Sequence, residues 1–238
     1  MKAKQNDFRA EILSSNGYID QEMEVQTIFN VVWMALQDII NSNAFRNAVK
    51  LFCLVSTNKD KVEEALKFVN GIKKNDILWI TRTSAAGLTT IKSRICLGYT
   101  GFENCAPKNK AAYLLYTLTH EIGHYLMDKL HPDEIWTPNF SLNIKTILEN
   151  RSLNLSKKER ELIKGADGFE GGFALQFLLY ESAEANYFQD KHITEKFINP
   201  ASYKNWPVFT DKEIANLSSL EINVKLSGVL YLMRRMIL

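Results

Sequence analysis

Cysteine is scarce in this 238-residue chain, and the few cysteines present have no paired spacing. Cys53, Cys96 and Cys105 are an odd number, which argues against a disulfide framework and against the paired cysteines of a zinc finger. We expect three free thiols in a protein of a reducing compartment. A bridge between Cys96 and Cys105 is the alternative for an exported protein.

Long apolar runs are also missing. No stretch approaches the roughly 18 consecutive apolar residues of a membrane-spanning helix, so we expect no contact with a membrane. Residues Met1–Gly17 are polar and charged, and they lack the apolar segment of a secretory signal. The lack of a membrane-spanning run and the lack of a secretory signal together predict a cytoplasmic protein. Export by a route without a cleaved signal would leave the same pattern.

Charge of neither sign dominates the chain. Lys and Arg number 29 against 27 Asp and Glu, a formal net charge of +2, which is too close to neutral to indicate nucleic acid as a partner. Hydrophobic residues make up 46% and charged residues 24% of the chain, as in ordinary globular proteins. We therefore expect a single domain over residues 1–238, in which residues 1–20 form a poorly ordered or extended N-terminal segment.

The hydrophobic spacing predicts a mainly helical α+β domain. Apolar residues three and four positions apart indicate helices, and short β-rich runs indicate the strands of a small antiparallel or mixed sheet. A glycine-rich joint at 165–172 is predicted to be flexible. The predicted helices are two within residues 22–55, one near 59–72, one over 108–130 and one over 173–191, and the predicted strands are 76–82 and 93–100.

The motif His120-Glu121-Ile122-Gly123-His124 lies within the predicted helix 108–130. Residues four apart on a helix lie one turn above each other on the same face, which places the two imidazoles side by side as ligands of one Zn²⁺. Glu121, next to the first ligand, can then hold and deprotonate a metal-bound water. The chain has only four His, so the motif is hard to obtain by chance. It predicts a hydrolytic zinc site. The alternative is two polar helix residues that hold no metal.

A third His is excluded as the remaining ligand. Metalloproteases with three His ligands place the third His a short, fixed distance further on, after a Gly that lets the helix turn back. Here Met127 occupies the Gly position and Leu130 the His position. His131 is displaced by one residue and precedes a proline, so we interpret it as a surface residue of a loop.

A carboxylate from a second helix is the other source of a third ligand. Glu181 and Glu184 share one face with two phenylalanines in the predicted helix 173–191. Unpaired carboxylates on an apolar stripe are costly to bury, and a divalent cation would offset that cost. We favour Glu184 as the ligand, because its small neighbours permit close helix approach, with Glu181 orienting a histidine or the water. A stripe that edges into solvent is the alternative.

Two further carboxylates are candidates for supporting roles. Glu170 lies in the glycine-rich joint and is a weaker candidate for the third ligand. Asp128 follows His124 by four residues on the same helix face, so it can help to orient the ligands.

The motif at 120–124, followed at a distance by Glu-Ala-Asn-Tyr-Phe at 184–188, resembles the zincin metallopeptidases whose third ligand is a Glu, the gluzincins. Within them it is most similar to the ImmA/IrrE-type peptidases. The resemblance implies a zincin-like metallopeptidase fold, with His120, His124 and Glu184 as ligands of Zn²⁺ and Glu121 as the catalytic base. It also implies a peptide or protein substrate, bound by β-addition along the strand before the metal helix, which here is Arg94–Tyr99.

The expected activity is that of a zinc-dependent metalloendopeptidase. Glu121 takes a proton from the metal-activated water and returns it to the leaving amine, and Tyr187, Tyr203 or His192 stabilises the oxyanion. One alternative is an effector- or toxin-type metalloprotease that acts on a foreign protein. Others are a metal-stabilised regulatory binding module without catalysis and a hydrolase of non-peptide substrates. The pattern carries no indication of the oligomeric state.

Overall fold

A computed structural model of the chain describes residues 19–56, 59–80, 87–89, 95–130 and 171–180. These residues form six α-helices and a three-stranded sheet, which confirms the mainly helical α+β class. The helices are α1 (Ile19–Ile40), α2 (Asn43–Val55), α3 (Val62–Asn70), α4 (Tyr99–Glu103), α5 (Lys110–Leu130) and α6 (Gly171–Tyr180). The strands are β1 (Leu78–Ile80), β2 (Gly87–Thr89) and β3 (Ile95–Gly98). Short 3₁₀ helices occupy Lys59–Lys61, Lys74–Asp76 and Pro107–Asn109.

Helices α1 and α2 are separated by a capped break. The buried residues of α1 recur three or four positions apart, as on a helix packed against a core: they include Val25, Phe29, Val32, Leu36 and Ile39. Ser42 begins α2 as its N-cap, because its hydroxyl accepts a hydrogen bond from the Phe45 amide at 3.2 Å. The two helices predicted within residues 22–55 are therefore confirmed.

The sheet is mixed, and β3 lies in its centre. β1 pairs with β3 in parallel, with Trp79 opposite Leu97. β2 pairs with β3 in antiparallel orientation, with Leu88 opposite Cys96. β1 and β3 fall within the two predicted strands, whereas β2 was not predicted. The segment around β2 is rich in Ser, Thr, Ala and Gly, a composition that is typical of a turn and gives no strand signal.

The predicted strand 93–100 is too long at its C-terminal end. Gly98 ends β3, and Tyr99 begins α4. The ring of Tyr99 packs edge-on against Trp79, with 6.2 Å between the ring centroids, and Trp79 packs on Phe102 at 5.5 Å. Burial of this aromatic cluster favours the turn into α4 over a longer strand.

Helix α5 runs through the centre of the core. It contacts α1, α3, α6 and both β2 and β3, and its buried apolar residues include Leu114, Leu115, Leu118, Ile122 and Leu126. At its C-terminal end the Lys61 ammonium donates to the Leu130 carbonyl at 3.1 Å, which satisfies a carbonyl that the helix end leaves open. The helix predicted over 108–130 is confirmed, except that its first two residues belong to the preceding 3₁₀ turn.

Glycines bring α5 and α6 into close contact. A methyl group on Gly123 of α5 would collide with the carbonyl oxygen of Gly171 and lie 2.8 Å from the Cα of Gly172. Only a residue without a Cβ permits this approach of two backbones. Gly171 and Gly172 are buried residues of α6, so the prediction that 165–172 is a flexible joint is wrong for its last two residues.

The three cysteines are free thiols, as predicted. Cys53 and Cys96 are buried, and Cys105 is partly exposed. Burial raises the pKa of the Cys53 thiol to about 12, an effect that the nearby Lys61 ammonium only partly offsets. Cys53 is therefore protonated and unreactive at neutral pH.

Helix α1 begins within the N-terminal segment that was predicted to be extended or poorly ordered. Ile19 and Asp20 already belong to α1, so the segment predicted to be extended or poorly ordered cannot include them, and residues 1–18 lie outside the described residues.

Among the helices of the described residues, none has both the length and the apolar composition that a bilayer crossing requires.

We predict that Gly123→Ala destabilises the protein by about 1–3 kcal/mol, because the added methyl group forces α5 and α6 apart. The free energy of unfolding in urea measures the effect. Gly71→Ala is the matched control: Gly71 follows α3 with a helical φ of −79°, and its methyl group would lie 3.3 Å from two carbonyl oxygens. We expect the control to stay within about 1 kcal/mol of wild type. Equal stability of both variants would contradict the close helix contact.

Candidate metal site

Helix α5 places the two histidines of the motif side by side. The Nε2 atoms of His120 and His124 lie 3.1 Å apart, and their ring centroids are 4.8 Å apart. Two nitrogens bound to one tetrahedral Zn²⁺ at 2.0–2.1 Å would be separated by about 3.3 Å. The separation of the two Nε2 atoms therefore fits a pair of ligands on a shared ion.

Glu121 completes the cluster from the same helix. Its side chain is buried, with 3% of the residue exposed. One potential ligand atom from each of His120, Glu121 and His124 lies within 4.8 Å of the others. The structure therefore brings together the three residues of the predicted motif. Asp128 is also among the described residues, and it is not part of this cluster.

The predicted third ligand and its alternatives lie in the part of the chain that the structure does not describe. Glu184, its alternative Glu181 and the weaker candidate Glu170 lie outside the described residues. The same is true of His131 and of the candidates for oxyanion stabilisation, which are Tyr187, His192 and Tyr203.

Strand β2 packs directly on Glu121. The Thr89 hydroxyl lies 2.7 Å from Oε2 of the Glu121 carboxylate and 3.0 Å from the Glu121 backbone carbonyl oxygen. Donation to the carboxylate is the stronger of these two bonds, because the acceptor is charged and the distance is shorter. At Gly87, a methyl group would lie 2.7 Å from Cγ and Oε1 of Glu121. The carboxylate thus lies against the backbone of β2, with one oxygen held by Thr89.

The structure contradicts the prediction that a substrate strand adds along Arg94–Tyr99. Residues 95–98 of the predicted segment Arg94–Tyr99 form β3, which is paired with β1 on one side and with β2 on the other. Its backbone groups are therefore engaged within the sheet, and the prediction is wrong. β2 is an edge strand of the sheet in the described part of the chain, and it is the strand whose side chain contacts Glu121.

The first turn of α6 packs on the ring of His120. A methyl group on Gly172 would lie 2.6 Å from both Cε1 and Nε2 of that ring. The Phe173 ring packs edge-on against the imidazole, with 4.6 Å between centroids. The two residues fix the plane of the imidazole, and only glycine at position 172 leaves room for it.

Gln176 of α6 connects the backbone of α5 to His120. Its side chain is completely buried. The amide nitrogen donates to the Tyr116 carbonyl at 2.9 Å, and the amide oxygen lies 3.2 Å from Nδ1 of His120. Tyr116 and His120 are one helical turn apart, so the amide spans one turn of α5.

The sequence contains a signal for one of these unpredicted residues. Gln176 is the polar residue in the apolar run Phe173–Leu179, and a polar side chain at such a position needs a partner. Thr89 and Gly87 carry no comparable signal, because they lie in a short segment rich in Ser, Thr, Ala and Gly that is typical of a turn.

Comparisons of the chain with protein-family models, with curated proteins and with solved structures found no match. The resemblance to the gluzincins therefore stays a prediction. The functional interpretation depends on the motif and on the geometry of its residues.

We predict that Gly172→Ala weakens zinc binding by about 10- to 100-fold, because the methyl group displaces the His120 ring. Competition with a chromophoric chelator measures the affinity. Gly171→Ala is the matched control, because its methyl group would meet the flexible Met127 side chain, at 2.6 Å, and not the imidazole. The two variants disturb the same helix contact, but only the first disturbs the ring. Zinc affinity of Gly172→Ala equal to that of the control would contradict the predicted role of Gly172.

Proposed function

We propose that the protein is a zinc-dependent metalloendopeptidase of the gluzincin type. His120 and His124 would hold the metal, with Glu184 as the third ligand, and Glu121 would act as the general base. One observation carries this proposal: two imidazole Nε2 atoms lie 3.1 Å apart on one helix face, beside a buried carboxylate of the next residue. A zincin-like fold belongs to the same proposal, which the mixed sheet packed on the motif helix supports.

The donor set suits Zn²⁺ and catalysis. Imidazole nitrogens and a carboxylate are ligands that zinc accepts in catalytic sites with three protein ligands, whereas structural sites have four. Glu121 is not needed for a structural site, and burial of its carboxylate would be costly without a function. These two arguments favour an enzyme over a metal-stabilised binding module.

Glu121 is arranged to handle a proton. When bound, the metal would acidify a water and polarise the scissile carbonyl. Thr89 holds Oε2 of Glu121, and Oε1 would accept the proton from the attacking water. The same carboxyl group then delivers the proton to the leaving amine. Because Glu121 as a whole residue is 3% exposed, bulk water competes little for its carboxylate.

An extended peptide would bind along the edge of β2 that no strand of the described residues covers. An edge strand offers backbone donors and acceptors to an added strand, and this edge lies beside the base because Thr89 and Gly87 both contact Glu121. This arrangement supports the proposal of a peptide or protein substrate. A foreign protein as the substrate of an effector-type enzyme would use the same edge.

We predict that Glu121→Gln lowers peptide hydrolysis by about 10²- to 10⁴-fold, because the amide cannot accept the proton, while zinc stays bound. Zinc content by mass spectrometry and cleavage of a peptide library measure the two properties. His120→Ala is the companion variant, and we expect it to lose both. Full hydrolysis by Glu121→Gln, or zinc binding by His120→Ala that equals wild type, would refute the proposal.

We predict that Thr89→Val lowers kcat by about 10-fold, because Glu121 loses a charge-assisted hydrogen bond. KM and zinc content should stay near the wild-type values, since the backbone of β2 and the ligands are unchanged. Thr89→Ser retains the hydroxyl and should restore most of kcat. A serine variant as slow as the valine variant would show that Thr89 acts through packing and not through its hydrogen bond.

A further inference from the structure

We propose that Gln176 is a positioning residue that fixes the tautomer of His120, so that Nε2 presents a lone pair to a metal ion before the ion binds. The proposal concerns the metal-free chain. It rests on the proposed function only in so far as a bound metal ion gives this tautomer a use. Its evidence is a series of hydrogen bonds whose directions are determined step by step.

The orientation of the Gln176 amide is set by the backbone of α5. The carbonyl oxygen of Tyr116 can only accept a hydrogen bond, so the amide group at 2.9 Å from it must be the nitrogen. The amide oxygen therefore faces the opposite way, towards Nδ1 of His120 at 3.2 Å. The alternative orientation of the amide would place two acceptors against each other at Tyr116.

The amide oxygen then determines where His120 carries its proton. An amide oxygen cannot donate, so the bond exists only if Nδ1 is protonated. In the neutral ring the other nitrogen, Nε2, is then without a proton. A neutral imidazole nitrogen without a proton is the form that binds a metal, and an Nδ1–H bonded to an oxygen also makes Nε2 a better ligand.

The contact between His120 and His124 is the next hydrogen bond in the series. With His120 Nε2 unprotonated, the contact of 3.1 Å to His124 Nε2 is a hydrogen bond in which His124 donates. In the metal-free protein one proton therefore lies between the two nitrogens that would bind the metal. Binding of a metal ion at both Nε2 atoms would require His124 to change tautomer, with its one ring proton on Nδ1.

The surroundings of Gln176 support a chemical role over a packing role. Ala174, Leu175, Phe177 and Leu178 of the same helix are all at most 3% exposed, so an apolar side chain at position 176 would match its neighbours. A buried amide contributes little net stability even when it is bonded and is costly when a partner is lost. The amide lies against His120, a ligand of the proposed metal, and control of that ligand is a function that packing alone would not require.

Nitrogen-15 NMR of the metal-free protein tests the proposal directly. Long-range ¹H–¹⁵N spectra of histidine-labelled protein, recorded at a pH where the rings are neutral, report which nitrogen carries the proton. We expect the proton on Nδ1 of His120 and on Nε2 of His124 in the wild type. A wild-type His120 with its proton on Nε2 would overturn the proposal, whether or not the protein binds zinc or cleaves peptides.

Two variants separate the acceptor from the shape of the side chain. Gln176→Met has a similar volume and no strong acceptor, and we expect the His120 proton to move to Nε2 and zinc affinity to fall by about 10- to 100-fold. In its protonated form, Gln176→Glu can still donate to the Tyr116 carbonyl and keeps an acceptor for Nδ1–H, so it should keep the wild-type tautomer. It provides the comparison with wild type if the Met variant does not fold.

Leu175→Met controls for altered packing in α6, because Leu175 is fully buried in the same helix. We expect the wild-type tautomer and a zinc affinity within a few-fold of wild type. A Gln176→Met protein that keeps the proton on Nδ1 would overturn the proposal. Loss of peptidase activity alone concerns the proposed function, because the tautomer is measured without metal or substrate.

Discussion

The contact between α5 and α6 determines the geometry of the candidate site. Gly123 on α5 and Gly171 and Gly172 on α6 have no Cβ, so the helix backbones approach until the His120 ring rests on the first turn of α6. That distance lets Phe173 reach the ring and Gln176 reach both the ring and the backbone. Each glycine within a helix costs roughly 0.5–1 kcal/mol relative to alanine. Burial of the apolar residues of α6 offsets this cost.

Two buried polar side chains of this region, Glu121 and Gln176, have partners that involve the motif. Glu121 is held by Thr89 from the sheet, and His120 is held by Gln176 from α6. Apolar side chains of the same size would pack in these places without the risk of an unsatisfied group, which costs about 1–3 kcal/mol. The polar groups are therefore better explained by the control of two reactive side chains than by stability. Different elements supply the two partners, so Glu121 and His120 are positioned independently.

The sequence predicts those parts of the structure that local geometry determines. The long helices follow from the spacing of apolar residues, and the distance between His120 and His124 follows from the rise of one helical turn. The sequence does not predict contacts that form between distant segments. Gln176 stands out as a polar residue in an apolar run, yet its spacing does not reveal Tyr116 or His120 as partners. Gly171 and Gly172 have the composition of a flexible joint, but packing against Gly123 holds them in a helix.

In the proposed enzyme, the order of the strands would link substrate binding to Glu121, the proposed general base. Because β3 is paired on both sides, a peptide strand would add at an edge of the sheet, and among the described strands β2 is the edge strand that contacts Glu121. Thr89 ends β2, and its hydroxyl holds the carboxylate of Glu121, while Gly87 of the same strand lies against that carboxylate. Any shift of β2 on peptide binding would therefore shift the base as well. In the proposed enzyme, a strand of three residues would set the position of the substrate relative to Glu121, and the distance between them would not depend on the flexibility of a long loop.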